Sequence, residues 1–205
     1  MNNIQKALEN GQSIWLDSIS RDMLRSGELQ RFVDLGVTGV TSNPSIFDKA
    51  IAESDIYDES LIEYAKDGAT RETVFERLAV DDIRDAADVL RPVYDDAGRR
   101  DGFVSIEVSP TLAHDTGGTV AEARRLWAAI DRPNIMIKVP GTPAGVPAIK
   151  SLIADGINVN VTLLFALEAY KAAANACIEG LTEFATSGRG NPGGVASVAS
   201  FFVSR

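Results

Sequence analysis

The run Ile157-Asn158-Val159-Asn160-Val161-Thr162-Leu163 reads as a buried strand, being short, apolar and rich in β-branched residues, yet a polar side chain stands at every second position. Strand side chains alternate between faces, so Val159, Val161 and Leu163 are expected to pack outward on helices while Asn158, Asn160 and Thr162 point the other way. A parallel strand covered by helices on both faces gains nothing from a polar face. In a closed barrel that second face is the interior, and toward the carboxyl ends of the strands the interior is the floor of an active site. An edge strand wetted on one side would give the same alternation, so this run alone leaves two readings open.

The strand run as a whole spans Ile157–Leu164, and five more runs have strand character: Ile14–Asp17, Val37–Ser42, Phe103–Val108, Ile135–Val139 and Val195–Val203. Helical patterns lie between them. Thr119-x-x-Glu122 is a predicted capping box opening a helix with Val120, Ala123, Trp127 and Ile130 on one face. Residues 144–154 form a second helix, with Pro143 near its start and Gly156 just past its end. A third, over Asp81–Asp96, places Ile83, Ala87, Leu90 and Tyr94 on one stripe, with Pro92 predicted to kink it. Strands alternating with helices imply a parallel sheet. The expected fold class is α/β, a (β/α)8 TIM barrel, with residues 1–205 forming a single domain and a helical insertion around residues 45–100. Residues 187–194 read as a glycine-rich loop before the last strand.

Composition narrows the function classes. With 205 residues, 45% of them apolar, 29 acidic side chains against 20 basic ones and a formal charge of −9, the chain is neither disordered nor a disulfide scaffold. The acidic balance argues against nucleic acid, whose phosphates require a basic stripe. One cysteine, Cys177, and one histidine, His114, are too few for a structural zinc site, and no metal is expected. Cys177 reads as a packing residue and His114 as a loop residue without a catalytic role. No apolar run approaches the roughly 18 residues of a membrane helix, and the amino terminus lacks the pattern of a secretory signal. The expected location is the cytoplasm.

Polar and ionisable residues end the buried runs. Lys138 closes the apolar strand Asn134-Ile-Met-Ile-Lys138. A lysine in a dry pocket has its ammonium form disfavoured, and its free amine can attack a carbonyl; equally, its stem can lie in the core while its head reaches water. Glu107 occupies the corresponding place near the end of the preceding run and Asp17 ends the first. Thr41 and Asn43 lie two apart, as do Ser200 and Phe202, with Arg205 just beyond. Each group alone reads equally as a cap or a solvated turn. Their recurrence at the ends of six strands favours one shared pocket and a Schiff-base role for Lys138.

Trp15-Leu-Asp-Ser-Ile-Ser-Arg21, Gly36-Val-Thr-Gly-Val-Thr-Ser-Asn-Pro-Ser-Ile-Phe47, Ser105-Ile-Glu-Val-Ser-Pro110, Asn134-Ile-Met-Ile-Lys-Val-Pro-Gly-Thr142, Asn158-Val-Asn-Val-Thr-Leu-Leu-Phe165 and Ser200-Phe-Phe-Val-Ser-Arg205 together resemble the transaldolase family, class I Schiff-base enzymes, in family order across essentially the whole chain. The resemblance implies that Lys138 forms the Schiff base, that Asp17 acts on a substrate hydroxyl during carbon–carbon cleavage, and that Glu107 and Thr162 handle a water. It implies that Asn43 and Asn160 hold hydroxyls of the ketose fragment with Thr41 nearby, that Ser200 and Phe202 shape the pocket, and that Arg205 binds phosphate. The implied reaction moves a dihydroxyacetone unit from sedoheptulose 7-phosphate to glyceraldehyde 3-phosphate in the pentose phosphate pathway. Sugar phosphates are the expected partners, with no cofactor, no nucleic acid and no membrane, and with a second copy of the chain as an option.

A complete barrel of this kind has eight strands in about 250 residues, whereas six strand runs are present here. The expectation is therefore an incomplete barrel lacking strands seven and eight, a fragment or truncated product whose activity in isolation is in doubt. Two alternatives accompany the transferase. One is a fructose-6-phosphate aldolase-like lyase, which shares the lysine but releases the three-carbon fragment; Glu107 and the long second connection favour the transferase. The other is an inactive barrel fragment that binds sugar phosphates.

Overall fold

The computed structural model describes residues 2–66 and 68–202. Its strands are β1 (Trp15–Leu16), β2 (Gly39–Thr41), β3 (Phe103–Glu107), β4 (Ile135–Pro140), β5 (Val159–Leu164) and β6 (Ser197–Phe201). Each predicted run overlaps one of them, with ends that differ by no more than two residues; β4 runs one residue past its predicted end, to Pro140. The strands follow chain order along one sheet, and β1–β2, β4–β5 and β5–β6 pair in parallel. Helices fill the connections: α1 (Asn3–Glu9), α2 (Arg21–Arg25), α3 (Glu28–Leu35), α4 (Pro44–Glu53), α5 (Asp58–Lys66), α6 (Arg71–Asp96), α7 (Thr116–Ile130), α8 (Gly145–Ala154) and α9 (Leu167–Thr186). This is the α/β alternation of an incomplete (β/α)8 barrel with six strands. No helix among the described residues is long and apolar enough to cross a membrane.

The chain divides into two compact units. The first comprises Met1–Val104 and Ile130–Asn134. Here β1 lies beside β2 because Gly39 has no side chain: a Cβ there would fall 2.5 Å from the indole ring of Trp15. The Trp15 Nε1–H donates to Asp101, which also accepts from Ser13. Between β2 and β3 the described residues form helices and turns with no strand. Ile83, Ala87, Leu90 and Tyr94 are all buried along α6, which continues through Pro92 to Asp96. Asn134 secures that helix by donating from Nδ2 to the carbonyls of Ala87 and Gly102. Tyr57, Val74 and Leu78 form a further core cluster with residues of α4 and α5 packed against it.

The second unit comprises Ser105–Ala129 and Ile135–Arg205. Its core joins the apolar residues of β4 and β5 (Ile135, Ile137, Val139, Val159 and Val161) to Ile149, Leu152 and Ile153 of α8, all buried. Fully burying an aliphatic side chain contributes about 1.5–3 kcal/mol, so this layer fixes β4 and β5 firmly under whatever their other face carries.

Two local expectations are corrected here. Helix α7 begins at Thr116, three residues before the predicted capping box. Asp115 supplies the cap, its Oδ1 accepting the Gly118 N–H at 3.0 Å. Thr119 instead donates to the Leu112 carbonyl, and Glu122 accepts the N–H of Ser109. Aspartate caps as well as threonine does, and Gly117-Gly118 carry no side chain that marks a helical turn in sequence. Leu163 does not pack outward either. It has φ +58° and is 47% exposed, and the β5–β6 register shifts between Val161 and Leu164, so the buried position passes to Leu164.

Candidate active site

Within the second unit, the polar residues of neighbouring strands share one face. The register pairs Lys138 with Asn160 and Pro140 with Thr162, while Asn160 stands beside Val198 of β6. Because side chains alternate, Ser105 and Glu107 on β3, Lys138 on β4, Asn160 and Thr162 on β5 and Ser200 on β6 are all available to one side. The opposite side of β4 and β5 holds the buried Ile135, Ile137, Val139, Val159 and Val161.

The geometry of that face is specific. Lys138 Nζ lies 3.4 Å from Glu107 Oε2, and the two side chains are only 11% and 19% exposed. Asn160 is buried, donates from Nδ2 to Ser105 Oγ at 3.1 Å, and accepts from Ser200 Oγ at 2.9 Å. Its carboxamide is thereby fixed in orientation as well as place. The Thr162 hydroxyl is buried with no hydrogen-bond partner among the described residues. A buried hydroxyl in that state costs about 1–3 kcal/mol unless a ligand or water meets it, which suits a group facing a reaction space. A primary amine, a carboxylate 3.4 Å away and an unmet hydroxyl are the groups that carbonyl condensation and its reversal require.

Asn158, third member of the polar alternation on this strand run, does something else. Its Nδ2 donates to the Ile135 carbonyl and its Oδ1 accepts the Ala196 N–H, joining the starts of β4 and β6 across β5. Phe202 stacks on Phe165, with ring centroids 5.2 Å apart. Arg205 lies outside the described residues.

The loop after β4 is built tightly around Gly145. Thr142 Oγ1 donates to the Ala113 carbonyl at 2.6 Å and accepts the Gly145 N–H, and Thr116 Oγ1 donates to the Ala144 carbonyl. These hydroxyl-to-backbone bonds tie together the two loops that follow Glu107 and Lys138.

Three further expected residues belong to the first unit. Asp17 follows β1 and is exposed; Thr41 ends β2 and is half-buried. Asn43 caps α4, its Oδ1 accepting the Ile46 N–H at 3.1 Å, so a bound hydroxyl would meet its Nδ2 donors.

Sequence reasoning missed Ser105 as a site residue. Its signal was present: it interrupts the apolar run Phe103–Ile106 two residues before Glu107, on the same face. It also missed a buried cluster in the first unit, where Arg21 Nε donates to Asp82 Oδ1 at 2.8 Å. Burial, the largest influence there, pushes the Asp82 carboxyl up from its ordinary range, against the hydrogen bonds from Tyr57 and Arg21. Burial also pushes the Tyr57 phenol up, reinforced by its hydrogen bond to Asp82.

Residues 14–205 match the sequence model of the family described as Transaldolase/Fructose-6-phosphate aldolase. Among curated proteins, the chain is 50% identical over 206 residues to Transaldolase 2 of Nostoc sp., covering 100% of this chain and 54% of that protein. It is 51% identical over 203 residues to the transaldolase of Thermobifida fusca, covering 98% and 55%. With Transaldolase 1 of Streptomyces coelicolor the identity is 50% over 203 residues, covering 98% and 53%. The chain spans about half the length of the curated relatives it matches.

Proposed function

From the premise that this chain belongs to the transaldolase/fructose-6-phosphate aldolase family, we propose that the protein containing it is a transaldolase acting on sugar phosphates through a Schiff base on Lys138. The observation that carries this reading is the Lys138–Glu107 pair at 3.4 Å, on the strand face that also holds Asn160 and Thr162.

The Lys138 amine adds to the C2 carbonyl of a ketose phosphate. Glu107 and Thr162 bind and relay protons to the water that leaves as the iminium forms. Asp17 then takes the C4 hydroxyl proton, the C3–C4 bond breaks, and its electron pair passes into an enamine. Asn43 and Asn160 hold the hydroxyls of the three-carbon fragment, with Thr41, Ser200 and Phe202 bounding the pocket and Arg205 binding the phosphate through its planar fork. Sedoheptulose 7-phosphate thus yields erythrose 4-phosphate, and addition of the enamine to glyceraldehyde 3-phosphate yields fructose 6-phosphate. Such a reaction belongs to the pentose phosphate pathway of the cytoplasm, and the acidic charge balance fits a protein without nucleic-acid partners.

Borohydride reduction of the full-length protein in the presence of fructose 6-phosphate tests the reading. The expected result is a covalent adduct on Lys138 that Lys138→Ala abolishes, with turnover requiring an aldehyde acceptor. An adduct on another lysine, or none, refutes it; release of dihydroxyacetone without acceptor favours the lyase.

A further inference from the structure

In the first unit, the segment that follows Asp17 ends in a buried polar cluster. Ile19 is 1% exposed, Ser20 caps α2, and Arg21 opens that helix with only 7% of its surface exposed. The backbone N–H of Arg21 donates to Tyr57 Oη at 2.8 Å, and the Tyr57 hydroxyl donates onward to Asp82 Oδ2 at 2.7 Å. The Arg21 side chain completes the ring. Its Nε donates to Asp82 Oδ1 at 2.8 Å, its Nη1 donates to Ser60 Oγ at 2.8 Å, and its guanidinium lies 4.6 Å above the centre of the Tyr57 ring. Tyr57, Ser60 and Asp82 come from three successive helical segments of the long excursion between β2 and β3.

A buried ion pair is poor evidence of stabilisation, because desolvating both charges offsets their attraction; what it fixes well is geometry. The geometry fixed here is that of a short loop. Its amino-terminal side is held by the sheet, where Trp15 and Leu16 pair with Gly39 and Val40. Its carboxyl-terminal side is held by Ile19 and by the Tyr57 hydroxyl on the Arg21 backbone. Asp17, exposed between these anchors, has no anchoring side-chain contact described for it. We propose that Arg21, Tyr57, Ser60 and Asp82 are positioning residues that set the Asp17 carboxylate for carbon–carbon cleavage, and that this is a task of the helical excursion. The inference rests on the transaldolase reading and on the role given there to Asp17.

The role separates two steps. Imine formation depends on Lys138 and its neighbours in the second unit, whereas cleavage depends on Asp17. Displacing a catalytic group by about 1 Å costs on the order of 100-fold in rate. The test uses the full-length protein and Tyr57→Phe, which removes one hydroxyl and keeps the ring. Two readings are taken: the rate of borohydride trapping on Lys138 with dihydroxyacetone, which needs no cleavage, and kcat for transfer from fructose 6-phosphate to an aldehyde acceptor. The expected result is trapping within about twofold of wild type and a kcat lowered about 10- to 100-fold, with KM for the donor little changed. Ser60→Ala, a milder lesion, should show the same split at smaller size and answers the question if Tyr57→Phe does not accumulate as folded protein. Equal trapping and equal kcat in both variants overturn the proposal, as does a parallel loss of both, which would mark the cluster as a general stabiliser. Absence of trapping in the wild type refutes the transaldolase reading itself and is thereby distinguished from either outcome.

Discussion

Replacing Gly145 by alanine tests whether the turn after β4 holds the lysine strand in place. A Cβ at Gly145 would stand 1.9 Å from the Pro140 carbonyl oxygen and 3.2 Å from Thr142 Oγ1. The carbonyl belongs to backbone, so relief requires β4 and α8 to part by about 1 Å, the scale on which misplacement costs on the order of 100-fold in rate. Pro140 is two residues beyond Lys138 and pairs with Thr162, and the next N–H, of Gly141, donates to the Thr162 carbonyl at 2.8 Å. The strain therefore falls on both the lysine strand and the unmet hydroxyl. Overpacking of this kind costs about 1–3 kcal/mol, which in a domain of this size lowers Tm by about 2–12 °C. Thermal melting by circular dichroism and the rate of borohydride labelling on Lys138 with fructose 6-phosphate measure the two effects. Gly117→Ala is the control: its Cβ would meet Asp115 at an ordinary 3.7 Å near the start of α7, and alanine there should be neutral or stabilising by about 0.5–1 kcal/mol. A Gly145→Ala protein that melts and labels like wild type would show that the turn does not position the site.

Arg21→Ala should destabilise by about 3–5 kcal/mol, because it leaves the buried Asp82 carboxylate without its cation; a urea titration reads the loss, and a change below about 1 kcal/mol contradicts the burial assigned to the pair. Folding stability should also fall as pH rises above about 10, where the unfolded chain releases its tyrosine protons while the raised Tyr57 phenol keeps its own, so the unfolded state binds fewer protons than the folded one. Tyr57→Phe should flatten that slope between pH 10 and 11, as followed by urea midpoints, and an equal slope in both proteins would exclude Tyr57 as its source.

The strands were legible because their chemistry is local. Buried runs such as Phe103–Val108 and Ile135–Val139 are short, β-branched and punctuated, and each matches the strand that forms to within one residue at either end. Departures occur where the decisive fact is conformational or tertiary. Leucine at position 163 looks apolar on any reading, and nothing in the neighbouring residues announces φ +58° or the register shift beyond Val161. Arg21 and Asp82 look like solvated surface charges 61 positions apart. Their burial had one trace in the sequence, for Asp82 stands four residues after Leu78 and four before Ala86, on the stripe by which α6 enters the core.

The candidate site shows the same division between what periodicity reveals and what register adds. Alternation was enough to place Asn160 and Thr162 on one polar face, since they lie two residues apart, whereas Glu107, Lys138 and Ser200 are marked only by standing near the ends of their runs. It could not tell Asn158 from Asn160. Both face the same way, and only the pairing of β5 with its neighbours gives one to backbone groups of Ile135 and Ala196 and the other to the side chains of Ser105 and Ser200. That distinction has a functional consequence. An amide satisfied by backbone closes the sheet at its base, whereas an amide held by two hydroxyls beside Lys138 can exchange a hydroxyl of its own for one on a ligand at small cost, since both are hydrogen bonds of comparable strength.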